Sequence, residues 1–175
     1  AQCNGTVNAP ASAAPNCAWS APTIPLPTGS LDYGGTIPPA LIKSGDTLVI
    51  NSGSYMVGYG AIGTPGSLCT NTGQTYECGI ASVPSGIDAA HPTVIQGDCT
   101  APPELWGTQG VTAIFVLLNK HDVRFSCLDL TDHSICLYNY GPTSATGGVI
   151  RCPTNYPYGT FASRGFLVAS FTNLT

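Results

Sequence analysis

Three short apolar runs follow one another with almost nothing between them: residues 113–118, 123–130 and 135–138, separated only by Asn119-Lys120-His121-Asp122 and Thr131-Asp132-His133-Ser134. Each run is too short for a globular helix and is rich in β-branched and aromatic residues, so each reads as a strand. The breaks lack the Asn-Gly or Asp-Gly signal of a tight hairpin. The strands therefore turn corners instead of doubling back, and the rest of the chain is expected to build onto them. Within 123–130, alternation sends Val123 and Phe125 inward and Arg124 outward. After a bend at Ser126-Cys127, Leu128 and Leu130 point in and Asp129 points out.

Two internal echoes extend the pattern. Residues 115–123 (FVLLNKHDV) resemble residues 166–174 (FLVASFTNL), with apolar residues matching at the first four positions and the last. More loosely, Thr93-Val94-Ile95 resembles Val123-Arg124-Phe125. Imperfect repeats with insertions at one corner are what stacked coils show. Further strands are expected at 47–50, 55–57 and 149–152 and before the turn at Gly97-Asp98. Asp46 and Asp98 read as turn residues that cap local N–H groups. Pro102-Pro103 is expected to open a loop.

Residues 1–39 carry seven prolines and hardly a charge. That excludes a helix and disfavours a central strand. With Trp19, Ile24, Leu26 and Leu31 as anchors and Cys3 and Cys17 as pins, the segment reads as an N-terminal Pro-rich cap or wrap over residues 40–175. Loop insertions are expected at 58–87 and 139–164.

Charged residues make up only 8% of the 175, against about 25% in an average soluble domain. Surface polarity must come from hydroxyls and amides. A formal charge of −4 with five Lys and Arg provides no run of cations for phosphates, which argues against nucleic-acid binding. No apolar run approaches the ~18 residues of a membrane span.

Eight cysteines stand at Cys3, Cys17, Cys69, Cys78, Cys99, Cys127, Cys136 and Cys152, and no C-x-x-C occurs. Zinc-ribbon and thioredoxin-type motifs are thereby disfavoured, and disulfides in an oxidising compartment are the better reading. Eight cysteines allow on the order of a hundred pairings, so connectivity stays open. Local closure favours Cys3 with Cys17 and Cys69 with Cys78, and a staple of the Gly-rich loop favours Cys136 with Cys152, leaving Cys99 with Cys127. The chain opens at Ala1-Gln2-Cys3, as a processed mature end does, and the expected location is secreted, extracellular or periplasmic. Asn4-Gly5-Thr6 and Asn173-Leu174-Thr175 match the N-glycosylation sequon, which matters only in a eukaryotic source.

The stretch LIKSGDTLVINSGSYMV (41–57) resembles the first turn of right-handed parallel β-helix proteins of the pectate-lyase-like superfamily. HPTVIQGD (91–98) resembles the following turn, and HDVRFSCLDLTDHS (121–134) a standard coil. The resemblance covers about residues 41–175. It implies an all-β right-handed parallel β-helix (β-solenoid) comprising the N-terminal cap and first coils. By the longer echo the chain stops one residue into a strand, so self-association or a further chain segment is expected to cover the last coil.

Arg124, Asp129, Asp132 and His133 form a group of ionisable residues in a chain that has few. In lyases of the resembling family, stacked carboxylates hold Ca2+ against a uronate while an Arg or Lys takes the α-proton. Hydrolases of that fold use paired carboxylates. Here the nine acidic residues are widely scattered, no metal site is assigned, and no cofactor is expected unless the chain is a lyase that takes Ca2+. An exposed corner is the plainer reading of the group. No G-x-S-x-G elbow supports Ser-His-Asp chemistry, and the glycines at 58–66 lack the lysine and helix of a phosphate loop. Tyr138, Tyr140, Tyr156 and Tyr158 cluster in one region and Tyr55 and Tyr59 near an early turn. Exposed aromatics suit stacking on sugar rings or on a neighbouring protein, and packing of the loops onto the coil explains them equally well.

The leading functional expectation is a secreted protein that acts on or binds extracellular polysaccharide. Whether it is an enzyme is left open; a polysaccharide lyase or glycoside hydrolase is the type implied. The alternatives are a self-assembling structural protein, as a filament or surface-layer subunit, and a fragment of a longer polysaccharide lyase or hydrolase.

Overall fold

A computed structural model describes residues 5, 17–29, 37–58, 61, 79–107, 111, 113–131, 165–169 and 172–174. These residues are all-β, with nine strands in chain order: β1 Thr47–Ile50, β2 Ser54–Val57, β3 Thr93–Gly97, β4 Glu104–Gly107, β5 Phe115–Leu118, β6 His121–Ser126, β7 Asp129–Thr131, β8 Phe166–Ala169 and β9 Thr172–Leu174. Among them no helix is long and apolar enough to cross a membrane.

Every pairing between these strands is parallel. A four-stranded sheet has the order β1-β3-β6-β9, a three-stranded sheet β2-β4-β7, and a two-stranded sheet β5-β8. The registers are those of the sequence echoes. Thr93 pairs with Val123 and Ile95 with Phe125; Phe115 pairs with Phe166 and Val123 with Leu174. Like residues stack on like because each strand must offer its neighbour the same inward-outward alternation.

The fold expected from the resemblance needs correcting. The described strands, three to six residues long, form three small separate parallel sheets, not the closed wall of a right-handed β-helix or β-solenoid. The third sheet has two strands, and residues 79–86, which precede β3, reach it only through the isolated bridge of Ile80 to Phe115. Pro84 has no N–H to give to a ladder, and Gly86 has no side chain to pack. This run therefore contributes the buried Ile80 and Val83 to the core without adding a strand.

All three sheets turn one face to a common core. Leu48, Ile50, Ile95 and Val123 come from the first sheet, Val57 and Leu105 from the second, Phe115 and Leu117 from the third, with Leu26, Ile42, Ile80, Val83 and Ile114 filling between them. The third sheet is covered on its other face too, where Val116, Ala81 and Ala113 pack with Ile37 of the N-terminal segment. That segment is tied down at Thr28, which bridges Ile80, and at Gly29, whose N–H donates to the Gly79 carbonyl over 3.1 Å.

Three non-glycine residues have left-handed backbone: Asn119 (φ 52°) between β5 and β6, Asp122 (φ 51°) within β6, and Cys127 (φ 54°) between β6 and β7. The 123–130 run expected as one bent strand is thus two strands, β6 and β7, in different sheets. Cys99 and Cys127 are disulfide-bonded, with Cα atoms 4.7 Å apart. The bond staples the β3–β4 corner to the β6–β7 corner. Pro102-Pro103 ends a turn and leads directly into β4, which the proline pair concealed. The expected strand at 149–152 and the 139–164 insertion lie outside the described residues.

Candidate functional site

A cleft of about 570 Å³ lies between the N-terminal segment and the first turn of the sheets. Trp19, Pro22, Pro25, Leu41 and Tyr55 supply its apolar surface, and Asp46, Thr47 and Asn51 its polar side chains. The volume falls within the range of about 300–1,000 Å³ typical of ligand pockets.

Each wall is held by local structure. Gly5, with φ 72°, lies flat against the indole of Trp19, where a side chain at position 5 would collide with the ring. Its N–H donates to the Cys17 carbonyl over 2.8 Å, and Cys17 is buried and disulfide-bonded. The turn at 21–26 is closed by Ile24 N–H to the Ala21 carbonyl (3.2 Å) and Leu26 N–H to the Pro22 carbonyl (3.1 Å). Leu41 N–H then donates to the Pro25 carbonyl over 2.9 Å, setting the width of the cleft.

On the facing side, Tyr55 packs its ring against the core and donates its hydroxyl to the Asn51 carbonyl over 3.0 Å. Partial burial raises the phenol above its ordinary pKa, so it stays a neutral donor and acceptor at any physiological pH. The Asp46 carboxylate accepts the Lys43 N–H at 2.7 Å, as a turn-capping aspartate does. The Asp46 carbonyl accepts the Val94 N–H at 2.9 Å. By parallel alternation Leu48 and Ile50 then face β3 with their backbone groups, while Thr47 and Val49 turn theirs toward the cleft. Its floor thus offers main-chain donors and acceptors beside two aromatic rings.

Of the ionisable group expected from sequence, Arg124 and Asp129 are among the described residues. Arg124 is exposed on β6, paired with Val94 in the first sheet, and Asp129 is exposed at the start of β7, paired with Glu104 in the second. The left-handed backbone at Cys127 lies between them in sequence. Asp132 and His133 lie outside the described residues, as do Tyr138, Tyr140, Tyr156 and Tyr158 and the cysteines Cys3, Cys69, Cys78, Cys136 and Cys152. Among the described residues no three His, Cys, Asp or Glu side chains are grouped as metal ligands.

Sequence reasoning missed the outer face of the second sheet. Glu104 stands beside Asp129 in register, and Trp106 beside Met56 and Thr131. The indole N–H of Trp106 donates to the Ser54 hydroxyl over 2.9 Å. The signal was the alternation Glu-Leu-Trp after the proline pair. Trp19 and Tyr55 were noticed, as an anchor and a turn aromatic, but nothing in the sequence brought them to one cleft.

The chain matches no protein-family model, and no curated protein or solved structure is significantly similar to it.

Proposed function

We propose that the protein binds an extracellular polysaccharide, taking a short stretch of sugar chain into the cleft between Trp19 and Tyr55. The observation that carries this reading is the pairing of two aromatic walls with a floor of Thr47, Asn51 and main-chain groups in one cleft of about 570 Å³. Sugar rings present apolar C–H faces that stack on aromatic rings, and rims of hydroxyls that exchange hydrogen bonds with amide and hydroxyl groups. A disulfide between Cys99 and Cys127 fits an oxidising compartment, and secretion follows from placing the protein beside such a polymer.

Catalysis is not part of the proposal. Asp46 is the one carboxylate among the described residues lining the cleft, whereas glycoside hydrolysis of the usual kind needs two. Affinity electrophoresis through gels containing neutral or acidic polysaccharides tests the reading. At least one polymer is expected to retard the protein, and Trp19→Ala or Tyr55→Ala is expected to restore free mobility. Free mobility of the unmodified protein in every gel, on a panel spanning both classes, would remove the proposal.

A further inference from the structure

On the reading that the cleft between Trp19 and Tyr55 holds a sugar chain, we propose that it takes a neutral polysaccharide in preference to a uronate polymer, with Asp46 as the side chain that sets the preference.

Asp46 is the one charged side chain among the described residues that line the cleft. The turn at 43–46 fixes it there. Its Oδ2 accepts the Lys43 N–H at 2.7 Å, and its own N–H donates to the Lys43 carbonyl over 3.1 Å. The residue is exposed, and neither ion pair among the described residues, Asp88 with His91 or Asp122 with His121, includes it. A ligand therefore meets a carboxylate beside walls of Trp19, Pro22, Pro25 and Leu41, which carry no charge.

Those walls and that carboxylate act differently on charged and uncharged sugars. A neutral ring lays its C–H face on the indole or the prolines and offers hydroxyls. A hydroxyl donated to a carboxylate makes a charge-assisted bond, stronger than one between neutral groups. A uronate ring instead brings a second charge of the same sign. Repulsion over several ångströms in a solvated cleft weakens binding severalfold, and the net charge of −4 acts in the same direction. A uronate polymer also carries a carboxylate on every ring, and those that meet the apolar walls leave water without gaining a partner. The same desolvation opposes an ammonium on every ring, so the preference is for an uncharged chain.

Affinity electrophoresis of the whole chain in two matched pairs of gels tests it. One pair contains polygalacturonate or its carboxyl-reduced form, the other carboxymethyl cellulose or hydroxyethyl cellulose. In a pair that retards the protein, the neutral polymer is expected to bind at least about fivefold tighter at low salt. That ratio is expected to fall as salt is raised to about 0.5 M, because an exposed charge is screened. Asp46→Asn keeps an acceptor for the Lys43 N–H and is expected to shrink the ratio by about threefold or more. Equal or tighter binding of the acidic member, or a ratio unmoved by salt or by Asp46→Asn, overturns the preference and leaves sugar binding in place. Free mobility in all four gels removes sugar binding itself, and the preference with it.

Discussion

Phe115 stacks on Phe166, ring centroids 5.3 Å apart and planes 16° from parallel, and Phe125 closes on both at 5.0 Å and 4.9 Å. The three rings join strands of the first and third sheets around one point of the core. Phe115 is fully buried, while Phe166 is 37% exposed. Phe115→Ala is therefore expected to destabilise by about 3–5 kcal/mol, the cost of a large cavity. Phe166→Ala should cost less, about 1–3 kcal/mol, because part of its ring already meets water. Urea denaturation of the two variants measures the difference, and equal losses would contradict this ranking.

The Cys99–Cys127 bond spans 28 residues of sequence. Loop-closure entropy at that length gives a stabilisation of about 3–4 kcal/mol. Replacing both cysteines with alanine is expected to lower Tm by roughly 10 °C, read by circular dichroism. An unchanged Tm would show that the two corners hold together without the staple.

Gly86 is buried, and its N–H donates to the His121 carbonyl over 2.9 Å. A Cβ there would stand 2.8 Å from both the Asp122 Cβ and the Pro92 Cα. The Asp122 carbonyl oxygen would be nearer still, and since it and the Pro92 Cα are backbone, the clash is not relieved by a side-chain rotation. Gly86→Ala is expected to cost about 1–3 kcal/mol, whereas alanine at an unobstructed loop glycine would be neutral or mildly stabilising. Chemical denaturation distinguishes the two.

Asp98 carries a pH prediction. Its carboxylate accepts the Thr100 hydroxyl at 2.7 Å and the Thr100 N–H at 2.8 Å. These bonds, the hydroxyl foremost, hold its pKa below the ordinary carboxylate value. A lowered folded-state pKa means that the contribution is complete above the unfolded value. It disappears as pH falls below about 4 through the folded value. Asp98→Asn should therefore lower stability at neutral pH and converge on the unmodified protein at the acid end, which flattens the pH dependence between the two. Tm measured from pH 2 to 7 checks it; a deficit as large at pH 2 as at pH 7 would contradict the assignment.

Much of the strand pairing was legible because it rests on local alternation. The echo of residues 115–123 in 166–174 is the pairing register itself, and so is that of Thr93 with Val123. The capping roles of Asp46 and Asp98 were legible for the same reason, since turns follow short-range spacing, whereas the pairing of Cys99 with Cys127 was reached only as the remainder after more local pairings. What long-range packing decides was not legible. β4 hid behind Pro102-Pro103, and Ile80 and Val83 looked like part of an insertion although both are fully buried. Continuous coils were expected where three small sheets stand. Alternation put Arg124 and Asp129 outward, and both are exposed, on strands of different sheets. The cleft was the least visible feature, since it needs Trp19 brought to Tyr55 across a segment with no periodic signal.

The polysaccharide reading is tested most directly by measuring the affinity of Trp19→Ala against that of Trp106→Ala for whichever polymer retards the unmodified protein. The two variants remove the two tryptophans of the chain, and only Trp19 lines the cleft. The expected result is a loss of more than about tenfold for Trp19→Ala, in keeping with an aromatic hot spot of about 1.4 kcal/mol or more, and little change for Trp106→Ala. Full affinity in Trp19→Ala, or a loss confined to Trp106→Ala, would place sugar binding elsewhere and contradict the account.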